Sequence, residues 1–164
     1  MWRVGILTAS TKGARGERKD ESGAVIREMV ARIDGQVVRH EVLPDDRERI
    51  REALIRFADV DKLDLVLTTG GTGVGPHDVT PEATRAVIQR EIPGIAEAMR
   101  ITTLKKTRFA MLSRSLAGTR GTTLIINLPG SPKGVRECLE AVIDVIPHAL
   151  ELMKGMTGDH GEIR

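Results

Sequence analysis

A glycine-rich stretch followed by an aspartate occupies the middle of the chain, and these residue types point to phosphate chemistry. The apolar run 65–67 is typical of a buried parallel strand, residues 70–75 hold four glycines, and Asp78 comes next. Glycines let backbone N–H groups approach an anion closely. A carboxylate beside bound phosphate is repulsive unless a cation lies between them. The stretch therefore predicts a phosphate site with Mg²⁺.

The residues after Asp78 have the pattern of a helix start. Thr80 is a typical N-cap, Pro81 suits the first helical position, and Glu82 places an acid in the first turn. The dipole of such a helix would add to the anion site. No Gly-Lys-Ser/Thr follows the glycines, and Pro76 stands where Gly-x-Gly-x-x-Gly needs its third glycine, so this is neither a P-loop nor a dinucleotide fingerprint. A purely structural glycine turn is the alternative interpretation.

The apolar pattern predicts that strands and helices alternate along the chain. The predicted strands are 3–10, 36–43, 65–67 and 122–128, and the predicted helices are 22–33, 46–58, 81–91, 94–104 and 132–153, with Asp46 and Ser131 as N-caps. Gly35 is predicted to end the first helix and Pro147 to interrupt the last, whereas 105–121 has no clear pattern. This alternation predicts an α/β fold with three layers, α/β/α, around a mostly parallel sheet. We expect a single domain over 1–155 and a polar, flexible tail over 156–164.

The carboxyl ends of parallel strands position the candidate site. Ligands of open α/β sheets bind outside these ends, and the loops 10–20, 44–45, 70–78 and 127–131 leave them here. Asp45 and Asp78 should therefore share one rim, which predicts magnesium-dependent phosphoryl or nucleotidyl transfer. Asp45 taken alone is equally consistent with a turn or cap residue. The polar segment 11–20 is either a solvated loop or a flap over an anionic ligand.

Composition narrows the function classes. The chain has 164 residues, 40% of them hydrophobic and 29% charged, with no run of about 20 apolar residues that would span a membrane. Its net charge of +2 and its lack of tyrosine argue against nucleic acid as a partner. A single cysteine, Cys138, excludes an internal disulfide, and no secretory signal pattern is present, so we expect a cytoplasmic protein.

The motifs taken together resemble those of the MogA/MoaB molybdenum cofactor biosynthesis family, which includes a domain of gephyrin. The resemblance extends from Val4 to about Gly155, and its most specific part is Thr-Thr-Gly-Gly-Thr-Gly-Val-Gly-Pro-His-Asp-Val-Thr-Pro-Glu-Ala at 68–83. Further matches lie at 20–23, 43–45, 110–114, 118–121 and 126–132.

The resemblance implies molybdopterin adenylyltransferase activity, in which ATP and molybdopterin give adenylyl-molybdopterin and pyrophosphate with Mg²⁺. It also implies a homotrimer, and the downstream molybdate-inserting enzyme as a further partner. A non-catalytic pterin-binding or carrier protein is the main alternative. A nucleotide hydrolase like the competence-damage proteins is a third, although those chains are longer.

The resemblance also assigns site residues by position. It implies that Asp45 and Asp78 serve the metal and the chemistry. Gly70, Gly71, Thr72, Gly73 and Gly75 correspond to the nucleotide and phosphate loop, and Ser113, Asn127, Pro129, Gly130 and Ser131 to the pterin side.

Two positions depart from the family pattern. Many members have Ser-Asp-Arg after the first strand, where this chain has Ser10-Thr11-Lys12, and many have arginine at position 77, where this chain has His77. His77 can still donate to a phosphate, in a pH-dependent way, or be an exposed loop residue. Arg120, between two glycines, is predicted to meet either a phosphate or a neighbouring carboxylate.

Overall fold

The computed structural model describes residues 1–156 and contains one mixed sheet. Its strands are β1 (Trp2–Ala9), β2 (Gly35–Leu43), β3 (Leu65–Thr69), β4 (Arg90–Glu91), β5 (Ala117–Arg120) and β6 (Thr123–Leu128). They lie in the order β2-β1-β3-β6-β5-β4. The four neighbours β2, β1, β3 and β6 are parallel, whereas β5 runs antiparallel to β6 and pairs antiparallel with β4.

Helices cover both faces of this sheet. They are α1 (Thr11–Ala14), α2 (Glu21–Ala31), α3 (Arg47–Ile55), α4 (Thr80–Arg85), α5 (Pro93–Leu104), α6 (Pro132–Val142) and α7 (Ile146–Met153). Short 3-10 segments occur at Arg108–Leu112 and Ile143–Val145, and a π-helical segment, Arg56–Val60, extends α3. The predicted three-layer α/β/α fold with a mostly parallel sheet is confirmed.

Alternation along the strands divides the core in two. In β1, Val4 and Ile6 face α2, α5, α6 and α7, while Leu7 faces α3 and α4. β3 is buried over its whole length because helices cover both of its sides. Each fully buried aliphatic side chain contributes about 1.5–3 kcal/mol to stability. The central strand is therefore a rigid base for the loop that follows it.

The helix predicted over 81–91 is wrong in its second half. α4 ends at Arg85, and the backbone N–H groups of Gln89 and Ile92 then donate to Thr119 and Ala117 of β5 at 2.7 and 2.8 Å. These hydrogen bonds to a distant strand draw the chain out of the helix and make β4 the edge of the sheet. No local pattern in the sequence could reveal that partner.

Smaller differences also have local causes. Asp34, with φ +58°, takes the left-handed position at the end of α2, and Gly35 instead begins β2 beside Trp2. Segment 11–20 contains the single turn α1, capped by Ser10. Pro147 lies in the first turn of α7, so the last helix restarts there as predicted.

Other predictions concern the ends of the chain and membranes. Residues 157–164 of the expected tail lie outside the described residues. Among the helices of residues 1–156, none is both long and apolar enough to cross a bilayer.

Candidate functional site

A cleft of about 650 Å³ opens at the carboxyl ends of β1, β3 and β6. Asp45 and Asp78 both line it, together with Gly70 and Gly71 of the glycine loop. The sequence predicted that these two carboxylates and this loop would lie at one edge of the sheet, and the fold brings them into one cavity. The cleft also takes in Arg18 and Lys19 from the segment before α2 and Ser131 from the start of α6.

The start of the glycine loop needs glycine for steric reasons. Gly70 and Gly71 have φ of +93° and +69°, which disfavours any side chain. A Cβ at Gly70 would collide with the carbonyl oxygen of Ala9, and one at Gly71 would lie 2.5 Å from the Thr80 hydroxyl. The loop is therefore packed directly against the end of β1.

Thr80 holds this loop and does not cap the helix, contrary to the prediction. Its hydroxyl donates to the carbonyl of Gly70 at 2.9 Å, and its N–H donates to the carbonyl of Gly71 at 3.2 Å. Val79 is the N-cap residue and contributes no side-chain hydrogen bond. Because Thr80 is fully buried, its hydroxyl takes a backbone acceptor in preference to water. α4 has only six residues, so its dipole adds little to the anion site.

The loop amides supply the anion-binding groups instead. Within residues 1–156, the backbone N–H groups of Gly71, Thr72 and Gly73 have no protein acceptor. Successive unpaired N–H groups in a turn form a concave site for phosphate oxygens. The loop therefore has the unpaired backbone N–H groups that a phosphate site of the predicted kind needs.

Asp78 lies between the loop and the cleft. Its carboxylate accepts a hydrogen bond from the N–H of Gly75 at 2.9 Å, and Asp78 N donates in return to the carbonyl of Gly75 at 3.1 Å. A Cβ at Gly73 would lie 2.9 Å from Oδ2 of Asp78. The loop thus closes around one carboxylate oxygen, while the residue remains part of the cleft wall.

Thr11, which stands where the Ser-Asp-Arg pattern has its aspartate, holds Asp45 in place. Thr11 Oγ1 donates to Asp45 Oδ2 at 3.2 Å and accepts from the backbone N–H of Asp45 at 3.1 Å. The other carboxylate oxygen lies 3.4 Å from the Cβ position of Gly71. Asp45 is therefore fixed beside the glycine loop, and its neighbour Asp46 serves as the N-cap of α3.

A second cavity of about 360 Å³ lies on the other side of the loop. Its walls are mostly apolar and come from the glycine loop, α5, the 3-10 segment and α6. Ser131 lines both cavities, and its hydroxyl caps α6 by accepting from the N–H of Gly134 at 3.0 Å. The two cavities therefore adjoin one another at the start of α6.

The structure divides the expected binding residues between these cavities. Gly70, Gly71 and Gly130 line the first cavity, Thr72, Gly73, Ser113 and Pro129 line the second, and Ser131 lines both. Gly75 lines neither and instead hydrogen-bonds Asp78. The nucleotide and pterin sets implied by the resemblance are thus interleaved in space.

Asn127 lies beneath the site, and its side chain is engaged within the protein. The side chain is fully buried and lines neither cavity. Its amide donates to the hydroxyls of Thr68 and Thr84 at 3.0 and 2.9 Å, and its oxygen accepts from the N–H of Leu116 at 3.1 Å. Asn127 therefore connects β6 to β3, to α4 and to Leu116, the residue just before β5.

Arg114 clamps the outer part of the glycine loop, and sequence reasoning gave it no role. Its Nε and Nη2 donate to the carbonyls of Gly73 and Asp78 at 2.7 and 2.8 Å, and its Nη1 donates to both carboxylate oxygens of Glu82. This hydrogen bonding with Glu82 raises the pKa of Arg114. The only signal in the sequence was its position after Ser113 in a matched motif, because its partners are more than 30 positions away.

Asp20 joins the first cavity to β2. Its carboxylate accepts from the Thr8 hydroxyl at 2.7 Å and the Gly23 N–H at 2.9 Å, and lies 2.7 Å from Nε2 of His40. Burial alone would raise the pKa of Asp20, but the hydrogen bonds from Thr8, Gly23 and His40 together lower it. Asp20 is also the N-cap of α2, so it fixes the wall that carries Lys19.

Comparisons with known proteins identify this arrangement. Residues 5–148 match the family described as "Probable molybdopterin binding domain". A molybdopterin adenylyltransferase of Helicobacter pylori is 45% identical over 154 residues, which cover 93% of this chain and 88% of the relative. Gephyrin of Dictyostelium discoideum is 42% identical over 93% of this chain, which is 22% of gephyrin's own length. The crystal structure of the molybdopterin biosynthesis enzyme MoaB from Thermus thermophilus has a TM-score of 0.90 at 56% identity, covering 94% of this chain and 98% of that one.

The chain belongs to the MogA/MoaB molybdenum cofactor biosynthesis family.

Thr11 and His77, the two departures from the family pattern, differ in their relation to the cleft. Thr11 exchanges hydrogen bonds with Asp45, so the residue at this position still acts on the cleft although it carries no charge. His77 is exposed and lines neither cavity. Among residues 1–156, therefore, Thr11 hydrogen-bonds to a candidate site residue, and no side-chain hydrogen bond of His77 is seen.

Arg120 and Cys138 have structural roles. Arg120 pairs with Asp59 at 2.8 Å and donates to the carbonyl of Val87 at 2.9 Å, so it meets a neighbouring carboxylate. Cys138 is buried against the second cavity, and burial, with the adjacent Glu137 charge, raises the pKa of its thiol to about 11. A thiol in that state is a poor nucleophile near neutral pH.

Proposed function

We propose that this chain is a molybdopterin adenylyltransferase that moves AMP from ATP to the terminal phosphate of molybdopterin. The observation that carries the proposal is the pair of adjoining cavities, one lined by charged side chains and glycines and one mostly apolar, with the Asp78 carboxylate beside the loop that separates them. A substrate with a ring at one end and a phosphate at the other fits such a pair. Relatives 45% identical over most of the chain bear this activity in their names.

The chemical step joins two anions. A phosphate oxygen of molybdopterin attacks the α-phosphorus of ATP, the bond from that phosphorus to the bridging oxygen breaks, and pyrophosphate leaves with the bonding electrons. Charge stabilisation is the main task of the protein, because no covalent enzyme intermediate is needed. The free N–H groups of Gly71, Thr72 and Gly73 stabilise phosphate oxygens, and Arg18 and Lys19 add positive charge at the cleft wall.

Asp45 and Asp78 fit a Mg²⁺ site of the kind that handles nucleotides. Mg²⁺ in such sites is held by one or two carboxylates together with substrate phosphates, and these two carboxylates line the same cleft. A Mg²⁺ ion held by Asp45 and Asp78 would neutralise phosphate charge that otherwise repels the carboxylates and the second substrate.

The two substrates are expected to occupy different cavities. The first cavity suits the triphosphate, since it combines the loop, the two carboxylates and the basic residues. The second cavity suits the pterin, since its walls are largely apolar and include Ser113 and Pro129. Ser131, which belongs to both walls, then lies where the phosphate of molybdopterin passes between them.

The assembly and cellular setting belong to the same proposal. We expect a homotrimer in the cytoplasm that passes its product to the molybdate-inserting enzyme. Exposed apolar side chains support an oligomer, because isolated chains rarely leave so many together. They include Ile101, Leu104, Phe109, Met111 and Leu112. Light scattering coupled to size exclusion should give three times the chain mass, and a monomer would contradict the proposal.

One assay tests the activity directly. The purified chain is incubated with molybdopterin, ATP and Mg²⁺, and the products are separated and identified by mass. Adenylyl-molybdopterin and pyrophosphate in equal amounts are the expected result. Tight pterin binding without product would favour the non-catalytic carrier. Pyrophosphate release that does not require molybdopterin would favour a nucleotide hydrolase.

A further inference from the structure

Glu137 places a carboxylate with unused hydrogen-bonding capacity on the wall of the second cavity. Its side chain is only 14% exposed, and among residues 1–156 no protein donor hydrogen-bonds to the carboxylate. The nearest cations, Lys106 Nζ and Lys133 Nζ, lie 3.9 and 4.0 Å away, and Lys133 is itself largely exposed. The carboxylate oxygens thus keep acceptor capacity that no protein donor uses, so they can accept hydrogen bonds from a ligand's N–H groups.

The other charged group of this cavity is already occupied. Arg100 donates to the backbone carbonyl of Ser115 at 3.0 Å and points toward that of Ser113 at 3.5 Å. The remaining walls include Val74, Met99 and Leu112, which suit a flat ring. The cavity thus offers apolar walls with a single acceptor of high charge, and its volume lies near the lower end of the range of about 300–1,000 Å³ for small-molecule sites.

We propose that Glu137 recognises the 2-amino-4-oxopyrimidine edge of the pterin ring, accepting from its N3–H and 2-amino groups. The inference rests on the proposed function, since it takes the pterin as the ligand of this cavity. The two oxygens of a carboxylate match two parallel N–H donors, as they do in bidentate pairs with arginine. Adenine presents one donor beside a ring-nitrogen acceptor, whose lone pair would face the carboxylate. Glu137 therefore decides which ring enters which cavity.

The position of Glu137 agrees with transfer between the two cavities. Gly73 lines the same cavity, and its Cβ position is 2.9 Å from the Asp78 carboxylate. Ser131, the N-cap of the helix α6 that carries Glu137, is shared with the first cavity. A pterin anchored by its pyrimidine edge can thus direct its phosphate toward the carboxylates.

The first test separates the two substrates kinetically. Glu137→Gln keeps the size of the side chain but presents an N–H₂ group to one ligand donor. We expect the KM for molybdopterin to rise about tenfold or more, with the KM for ATP unchanged within about twofold. Glu140→Gln is the matched control, because Glu140 is exposed on the same helix and lines neither cavity. An equal rise in both KM values, or no rise, would overturn the role of Glu137.

The second test uses the ring alone and does not depend on turnover. Binding of pterin and of lumazine, which has an oxo group in place of the 2-amino group, is measured by calorimetry or ligand-observed NMR. The native chain should prefer pterin by about tenfold, and Glu137→Gln should lose that preference while its melting temperature stays near the native value. Equal binding of the two rings by the native chain, or no saturable pterin binding, would refute the inference. If the native chain makes adenylyl-molybdopterin but shows no such preference, this inference fails while the proposed function stands.

Discussion

Nη1 of Arg114 donates to both carboxylate oxygens of Glu82, at 2.8 and 2.9 Å, on the outer side of the glycine loop. The same guanidinium binds the carbonyls of Gly73 and Asp78, which are five positions apart. One side chain therefore holds both ends of the loop segment that carries the Asp78 carboxylate. Glu82 in turn keeps the guanidinium oriented.

Arg114→Lys should weaken this clamp without unfolding the protein. Lysine retains the charge but cannot bind two carbonyls and a carboxylate at once. We expect kcat to fall by about tenfold to a hundredfold, which corresponds to about 1.4–2.7 kcal/mol of transition-state stabilisation. Steady-state assays with molybdopterin and ATP measure the effect. Arg108→Lys, at an exposed position on the neighbouring 3-10 segment, is the control and should behave as the native chain. Native kcat in Arg114→Lys would show that the loop holds its shape unaided.

Asp78→Asn and Asp45→Asn should each remove catalysis while leaving the fold intact. In Asp78→Asn the amide oxygen can still accept from Gly75, so the loop keeps its hydrogen bond but loses its negative charge. We expect kcat to fall by at least about a hundredfold, and the Mg²⁺ concentration needed for half-maximal rate to rise. Magnesium titrations of the rate provide the measurement.

The control for both variants is Asp46→Asn. Asp46 adjoins Asp45 but caps α3, and asparagine is an equally good N-cap. Its activity and melting temperature should stay near the native values. An unchanged magnesium dependence in either Asp78→Asn or Asp45→Asn would contradict the assignment of that residue to the metal.

Asp20 should make part of the protein's stability depend on acid pH. Its folded pKa is lower than the ordinary value of 3.8, because hydrogen bonds from Thr8, Gly23 and His40 outweigh the effect of burial. A carboxyl group with a depressed pKa adds stability that is complete above the unfolded value and is lost as the pH falls through the folded value. The native chain should therefore be more stable than Asp20→Asn at about pH 5, and this difference should shrink below about pH 3.8.

Urea unfolding of both proteins across this pH range measures the effect. Asp144→Asn is the comparison, since Asp144 is exposed and makes no side-chain hydrogen bond within residues 1–156. A stability difference for Asp20→Asn that does not change with pH would show that the carboxylate charge is unimportant.

Cys138 should be chemically inert and dispensable. With its pKa raised to about 11, only about a thousandth of the thiol is ionised at pH 8. Iodoacetamide should therefore label the folded chain far more slowly than the urea-unfolded chain, and Cys138→Ala should retain near-native kcat. Rapid labelling of the folded chain, or loss of kcat with a native melting temperature, would point to a reactive thiol.

Local sequence alone determined the parts of this protein that depend on near neighbours. The apolar run 65–67 predicted the buried strand β3, and Gly70 and Gly71 form the left-handed turn after it. Asp46 and Ser131 are the helix caps that their positions predicted. Strand order along the chain also predicted that Asp45 and Asp78 would share one edge of the sheet, and both line the same cleft.

The tertiary structure decided the roles of polar side chains whose partners are distant in sequence. Thr80 binds loop carbonyls in place of capping α4, and Asn127 is saturated by hydroxyls from β3 and α4 and so lies below the site. Arg114 reaches the loop only because the turn before β5 lies beside it. The physical reason is that a buried polar group takes whichever partner the packed chain brings within about 3 Å, and spacing along the sequence does not specify that partner.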